Sequence, residues 1–388
     1  MKRISIILLS AATSFTVACS DDSSTDGNDG GDGSTDGQTP QGEWDKELAK
    51  REYDYNYALR VAALRLTGDI PTMAEINQVK DAGNADAQKA AYESLVQNYM
   101  NRPTFARQMF HFWRDTFKMG GTPELDTAPA FAAKLTVENG DFNQLFKAPT
   151  GACPTFNEGT GVFTAADCTG TGPKVGILGN PGVQKHYYGN FAFRRVKFVQ
   201  ETFDCVKFPI DLTGSPVEVG GATPYVGDFA HESIAGTANG GRVNFREAVA
   251  VQCAHCHKNL NHIAPLFANY DMNGVYQNAI AVKTPLTGEP LAKAEDYLPP
   301  GEPYQWRLGV MTPDMAALGS AIAADPDVAK CSVARMWNWA MGKGDIVDLL
   351  VEVPAATIQS QVDAYTTGGF KMKDLIYAVF TSDDFVKF

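Results

Sequence analysis

Residues Cys253-Ala254-His255-Cys256-His257 decide the reading of this chain. They spell C-x-x-C-H, the attachment signature of a c-type haem. In that chemistry two thiols add across the porphyrin vinyl groups and the adjacent imidazole becomes the proximal iron ligand. One helical turn sets both sulfurs under one porphyrin edge and leaves the next side chain directed at the iron. With seven Cys and six His in 388 residues, roughly 0.002 occurrences are expected by chance. Residues 242–257 are therefore predicted to form a helix that presents Cys253, Cys256 and His257 to one covalently held haem c.

Attachment of haem to this motif takes place outside the cytoplasm, and the N-terminus carries a matching address. Met1-Lys2-Arg3 is a basic start, and Ile4 to Phe15 is an apolar run broken only by Ser and Thr. The run is too short to span a bilayer and suits the core of a signal peptide. Thr16-Val17-Ala18-Cys19 resembles a bacterial lipobox, so residues 1–18 read as a lipoprotein leader and Cys19 as the lipidated first residue of the mature chain. Residues 19–43 follow as an Asp/Gly/Ser tether that lacks large apolar side chains and cannot offset its own ordering entropy. Its expected reach is about 25–30 Å. The chain is thereby expected to sit on a membrane through its N-terminal lipid, on the periplasmic side or at the cell surface.

The formal net charge is −12, and loss of Lys2 and Arg3 with the leader makes it more negative. An acidic chain without a basic face is a poor partner for nucleic acid. With Cys19 assigned to lipid and Cys253 and Cys256 to haem, four cysteines remain. In an oxidising compartment they suggest two disulfides. Cys153–Cys168 would close a Gly/Thr-rich loop, contributing roughly 3 kcal/mol in the chain-entropy treatment, and Cys205–Cys331 would tie the stretch before the motif to the C-terminal region.

Apolar periodicity predicts a mainly α fold. Helices are expected over residues 45–66, from a Thr72/Glu75 capping box to about Ala82, from Asp86 to Met100, and from Pro103 to Met119. The last carries the stripe Phe105, Met109, Phe110, Phe112, Trp113 and Phe117, which reads as core more readily than as a haem wall. Residues 120–185 read as loops with a short hairpin between two cysteines. Helices return over 190–206 and, beyond Pro313, over 314–324, 326–342 and 371–380. This divides the chain into a helical N-terminal domain, 44–185, and a second domain, 186–388. The second is a class I cytochrome-c-like helical haem core with long irregular loops.

The stretch Cys253 to Gln277, with Pro265, Asp271, Gly274 and Tyr276 in order, resembles the post-haem segment of the planctomycete-type cytochrome-c-like proteins. Leu66-Thr67-Gly68-Asp69-Ile70-Pro71-Thr72 is similar to their N-terminal element. Arg102-Pro103 through His111-Phe112-Trp113, Phe203-Asp204-Cys205, Cys331 through Trp339-Ala340-Met341-Gly342-Lys343-Gly344 and Thr381-Ser382-Asp383-Asp384-Phe385 are similar to further elements. Two positions depart from the pattern. Asn261-His262 replaces the usual Asp-Pro, and Gln277 stands where an Arg is usual. The resemblance implies haem and an exported location; the role of that family is largely undefined.

His257 is the expected proximal ligand. For the sixth position Met311, beside Pro313, fits a class I pattern, with Met315 and Met272 as alternatives. Arg194, Arg195 and Arg335 are candidate partners for haem propionates. The leading functional reading is a monohaem cytochrome that passes single electrons to and from a redox partner protein or a small-molecule donor or acceptor. A haem enzyme of peroxidase or oxygenase type is a second reading, with His111, His186 or His231 as a distal acid or base. A zinc-binding structural surface lipoprotein, using Cys253, Cys256, His257 and His262, is a third.

Overall fold

Asp54 accepts from the backbone N–H of Tyr57 and opens α1 (Tyr55–Thr67), which ends where Gly68 turns left-handed with φ 78°. The expected capping box of Thr72 and Glu75 is formed and opens α2 (Met73–Lys80). Asn84 caps α3 (Ala85–Tyr99), and Pro103 occupies the first turn of α4 (Pro103–Phe117). Each start follows from a side chain that satisfies an otherwise orphaned N–H, or from a proline that has none. The computed structural model describes residues 46–208, 257, 259–284, 288–298, 301–307, 309–347 and 352–388. Residues Glu52–Phe388 form one compact unit. Residues 46–48, a single helical turn, belong to a separate unit spanning Met1–Arg51.

The stretch 120–185 is more ordered than its Gly, Pro and Thr content suggests. It contains α5 (Pro123–Val137), the short α6 (Gln144–Lys147), and a hairpin of β1 (Thr155–Asn157) and β2 (Val162–Thr164). A 3₁₀ turn and α7 (Pro181–His186) complete it. The hairpin lies between Cys153 and Cys168, which are joined with Cα atoms 4.9 Å apart. Next come α8 (Phe193–Phe203), α9 (Ala264–Phe267) and the two-residue strands β3 (Gln305–Trp306) and β4 (Val310–Met311). The C-terminal helices are α10 (Met315–Ala324), α11 (Pro326–Ala340), α12 (Ala355–Thr367), α13 (Met372–Phe380) and α14 (Asp383–Val386). The fold is mainly helical, as expected.

Helix α4 packs along α5, α1 along α3, and α11 against α12 and α13. The aromatic stripe of α4 is core: Phe105, Met109, Phe110, Trp113 and Phe117 are buried, and Trp113 Nε1 donates to Thr136 Oγ1 at 3.1 Å. One hydrophobic cluster takes in residues on both sides of position 185, from Leu59 and Phe117 to Val199, Phe267 and Phe380. The second disulfide, Cys205–Cys331, with Cα atoms 5.5 Å apart, fastens the end of α8 to α11.

Candidate haem-bearing site

Of the motif, His257 lies within the described residues; Cys253, Cys256 and the expected helix leading to them lie outside, as does Cys19. His257 starts a helical turn in which its carbonyl accepts from Asn261 N at 2.9 Å. The same spacing brings Asn261 Oδ1 to 2.9 Å from His257 Nδ1. An amide oxygen only accepts, so Nδ1 carries the proton and Nε2 the lone pair. A metal-bound histidine is oriented in this way, through the ring nitrogen that does not touch the metal. Burial holds the His257 imidazole below its ordinary pKa, against the opposing effect of Asn261, which favours the neutral form that a metal requires.

An aromatic cluster meets this ring through Phe193. Phe191 and Ala192 adopt left-handed backbone angles and turn the chain into α8. Phe193, at the head of that helix, meets His257 edge-on with centroids 5.0 Å apart. Tyr297 closes on Phe193 at 5.9 Å and on Phe191 at 6.3 Å. Asn261 and Tyr297 are fully buried, and Asn261 Nδ2 and the Tyr297 hydroxyl have no hydrogen-bond partner among the described residues. An imidazole oriented through Nδ1 and packed against the Phe193 ring is suited to ligate a metal through Nε2.

Behind His257, the chain is held by Arg195. Its side chain is fully buried and donates to the carbonyls of Gln184 (Nε 3.0 Å, Nη2 2.6 Å), Phe267 (Nη1 2.9 Å), Tyr270 (Nη1 3.0 Å) and Asp271 (Nη2 3.2 Å). Burial pulls its pKa down to about 10. The expectation that Arg195 meets a haem propionate is therefore replaced: its donors go to backbone oxygens. Arg335 is likewise engaged, with Asp345 and with the carbonyls of Glu201 and Thr202. Arg194 is exposed. Asp271 organises the next turn by accepting from Asn273 N and Val275 N, and Gln277 Nε2 donates to its other oxygen at 3.0 Å.

The three candidate methionines are placed differently. Met311 on β4 is 58% exposed and Met272 59%, whereas Met315 opens α10 at 3%. His262 is buried, with Nε2 3.3 Å from Glu302 Oε1. His111 pairs with Glu158 at 3.2 Å, His186 Nε2 lies 3.0 Å from the Lys118 carbonyl, and His231 lies outside the described residues. Among the described residues no three His, Cys, Asp or Glu side chains are grouped to hold a metal ion, and no helix is long and apolar enough to cross a membrane.

Part of this mainly helical chain matches a known family model. Residues 44–133, which hold α1 to α4 and most of α5, match the family model PSCyt2, described as a protein of unknown function (DUF1549). The matched stretch ends well before His257. No curated protein and no solved structure matches the chain.

Proposed function

We propose that the chain is a monohaem c-type cytochrome, anchored to a membrane through a lipid on Cys19 and facing the periplasm or the exterior. The observation that carries this reading is the 2.9 Å contact between His257 Nδ1 and Asn261 Oδ1, on the histidine that completes the C-x-x-C-H. The similarity of residues 44–133 to PSCyt2 supports it, as does the likeness of further segments to the cytochrome-c-like proteins. Cys253 and Cys256 would hold haem c by thioethers and His257 would be its proximal ligand. When bound, that group would supply a one-electron couple between ferric and ferrous iron. Asn261 keeps the imidazole in the ligating tautomer, and Phe193, backed by Tyr297, covers one edge of the ring. The electrons would be exchanged with a redox partner protein or a small-molecule donor or acceptor. For the sixth position, Met311 needs its exposed side chain covered, while Met315 is already buried.

Chain expressed with a c-type maturation system and run on a denaturing gel should stain for covalent haem, and Cys253→Ala with Cys256→Ala should abolish the stain. A colourless, correctly exported protein would overturn the assignment. The resting spectrum tests the peroxidase-like alternative: a six-coordinate low-spin haem favours the electron carrier, and an open sixth site the enzyme. Zinc bound stoichiometrically in place of porphyrin would favour the surface-module alternative.

A further inference from the structure

A cleft of 420 Å³ opens among α1, α4 and the end of α11, distinct in its lining residues from the surroundings of His257. Three segments singled out in the sequence meet there. Arg65 comes from the last turn of α1, next to Leu66-Thr67-Gly68. Gln108, His111 and Phe112 come from one face of α4. Trp339 and Lys343 come from the end of α11 and the turn after it. Two glycines make this convergence possible. A Cβ on Gly342, at φ 69°, would stand 2.8 Å from Arg65 Nη2, so the missing side chain lets the guanidinium lie against the turn that carries Lys343. A Cβ on Gly68 would stand 2.5 Å from Gln108 Nε2.

Charge in this cleft is not balanced pair by pair. Arg335 is paired with Asp345, and His111 with Glu158. Arg65 and Lys343 have no ion-pair partner among the described residues, and neither has the Asp115 carboxylate, which leaves two unpaired cations against one unpaired anion. Two cations gathered on one cleft repel each other, and an anion between them relieves that repulsion while gaining charge-assisted hydrogen bonds. The same cleft exposes part of Phe112 and Trp339, whose centroids are 5.5 Å apart. Half-buried rings offer a face on which a flat ligand lies. Asp115, also on the lining, offers carboxylate oxygens that accept from a hydroxyl donor. The volume falls within the range of small-molecule sites, about 300–1,000 Å³.

We propose that this cleft is a binding site for a small, ring-bearing carboxylate that carries a hydroxyl donor. Its carboxylate lies between Arg65 and Lys343, and its ring stacks on one of Phe112 and Trp339 with its edge toward the other, the two rings being tilted by 59°. The site stands whether or not the chain carries haem, because none of these residues touches His257 in the described contacts.

Titration calorimetry on the full mature chain tests it, with 4-hydroxybenzoate as the probe. The expected result is one site per chain, at millimolar affinity or tighter, weakened by added salt. Its neutral isostere 4-hydroxybenzamide should bind at least tenfold more weakly. Lys343→Gln, at an exposed position, should raise the Kd about fivefold with an unchanged melting curve, and Arg65→Gln should do the same. Equal affinity for the amide, an unaltered Kd in Lys343→Gln, or no binding at millimolar concentration would overturn the proposal. Inorganic phosphate binding as well as the probe would remove the ring from it.

Discussion

Arg195 and Arg307 each pin an irregular segment to helices, the first with carbonyl oxygens and the second with carboxylates. Arg195 is buried at the junction of α7, α8 and the loop after His257, where four residues offer it only backbone oxygens. Arg307 is partly exposed, and its guanidinium meets Asp204 at the end of α8 and Asp325 and Asp327 at the start of α11, the latter two at 2.7 Å. Trp306 Nε1 donates to Asp325 at 2.6 Å and adds β3 to the same knot. The second junction also has a covalent tie, since Cys205 follows Asp204 and is bonded to Cys331 of α11. The comparison separates redundancy from necessity. The join between α8 and α11 is made twice, whereas four carbonyls around the loop after His257 are served by one side chain whose removal strands them.

The largest expected effect is on the covalent tie. Replacing Cys205 and Cys331 together by Ser removes a cross-link over 126 residues and should cost about 5 kcal/mol in the chain-entropy treatment, against about 3 kcal/mol for Cys153 and Cys168. Denaturant midpoints of the two double variants check this, and a larger loss at the shorter loop would reverse the order. Next, Arg195→Met should cost at least about 3 kcal/mol, because the carbonyls it served have no water to turn to. Arg195→Lys should recover only part, lacking the planar fork. A loss under about 1 kcal/mol would show that the loop is held by something else.

The smallest effect is a slope. Burial pushes the Asp204 carboxyl up to about 7; Arg307 opposes this, and the charges of Asp325 and Asp327 reinforce it. The folded chain therefore keeps a proton that the unfolded chain releases near its ordinary value, 3.8. Stability at this group falls as pH rises from about 4 to about 7 and levels off beyond. Asp204→Asn should flatten that part of the profile of melting temperature against pH. A profile identical to that of the unaltered chain would place the carboxyl's titration elsewhere.

Much of the helical frame was legible because its ends carry local chemistry: Thr72 with Glu75, and Pro103. Helix α5 was not, because Pro123, Pro129 and the flanking glycines and threonines suggest loop. Pro123 in fact sits in the first turn, where a missing N–H costs nothing. Its alanines are buried nearly all round, which erases amphipathic contrast. Helix α12 was missed for the opposite reason, since only Ile358 and Tyr365 are buried in thirteen residues. Arg195 reads from the sequence as a candidate propionate partner, yet it stands three and four residues before Phe198 and Val199, on the buried face of α8. That register was the available signal. The Arg65–Lys343 cleft had none beyond the segments themselves, because it depends on helices far apart in sequence.

The bond between Cys205 and Cys331 makes a covalent ring, and Cys253, Cys256 and His257 lie on its circumference. A protease that nicks the backbone once anywhere from 206 to 330 opens the circle without producing two molecules. Both pieces migrate together until a reductant is added, and the dithiol segment stays joined to the rest of the chain. Keeping the two pieces in one molecule requires only that the sulfur bridge outlast the peptide bond.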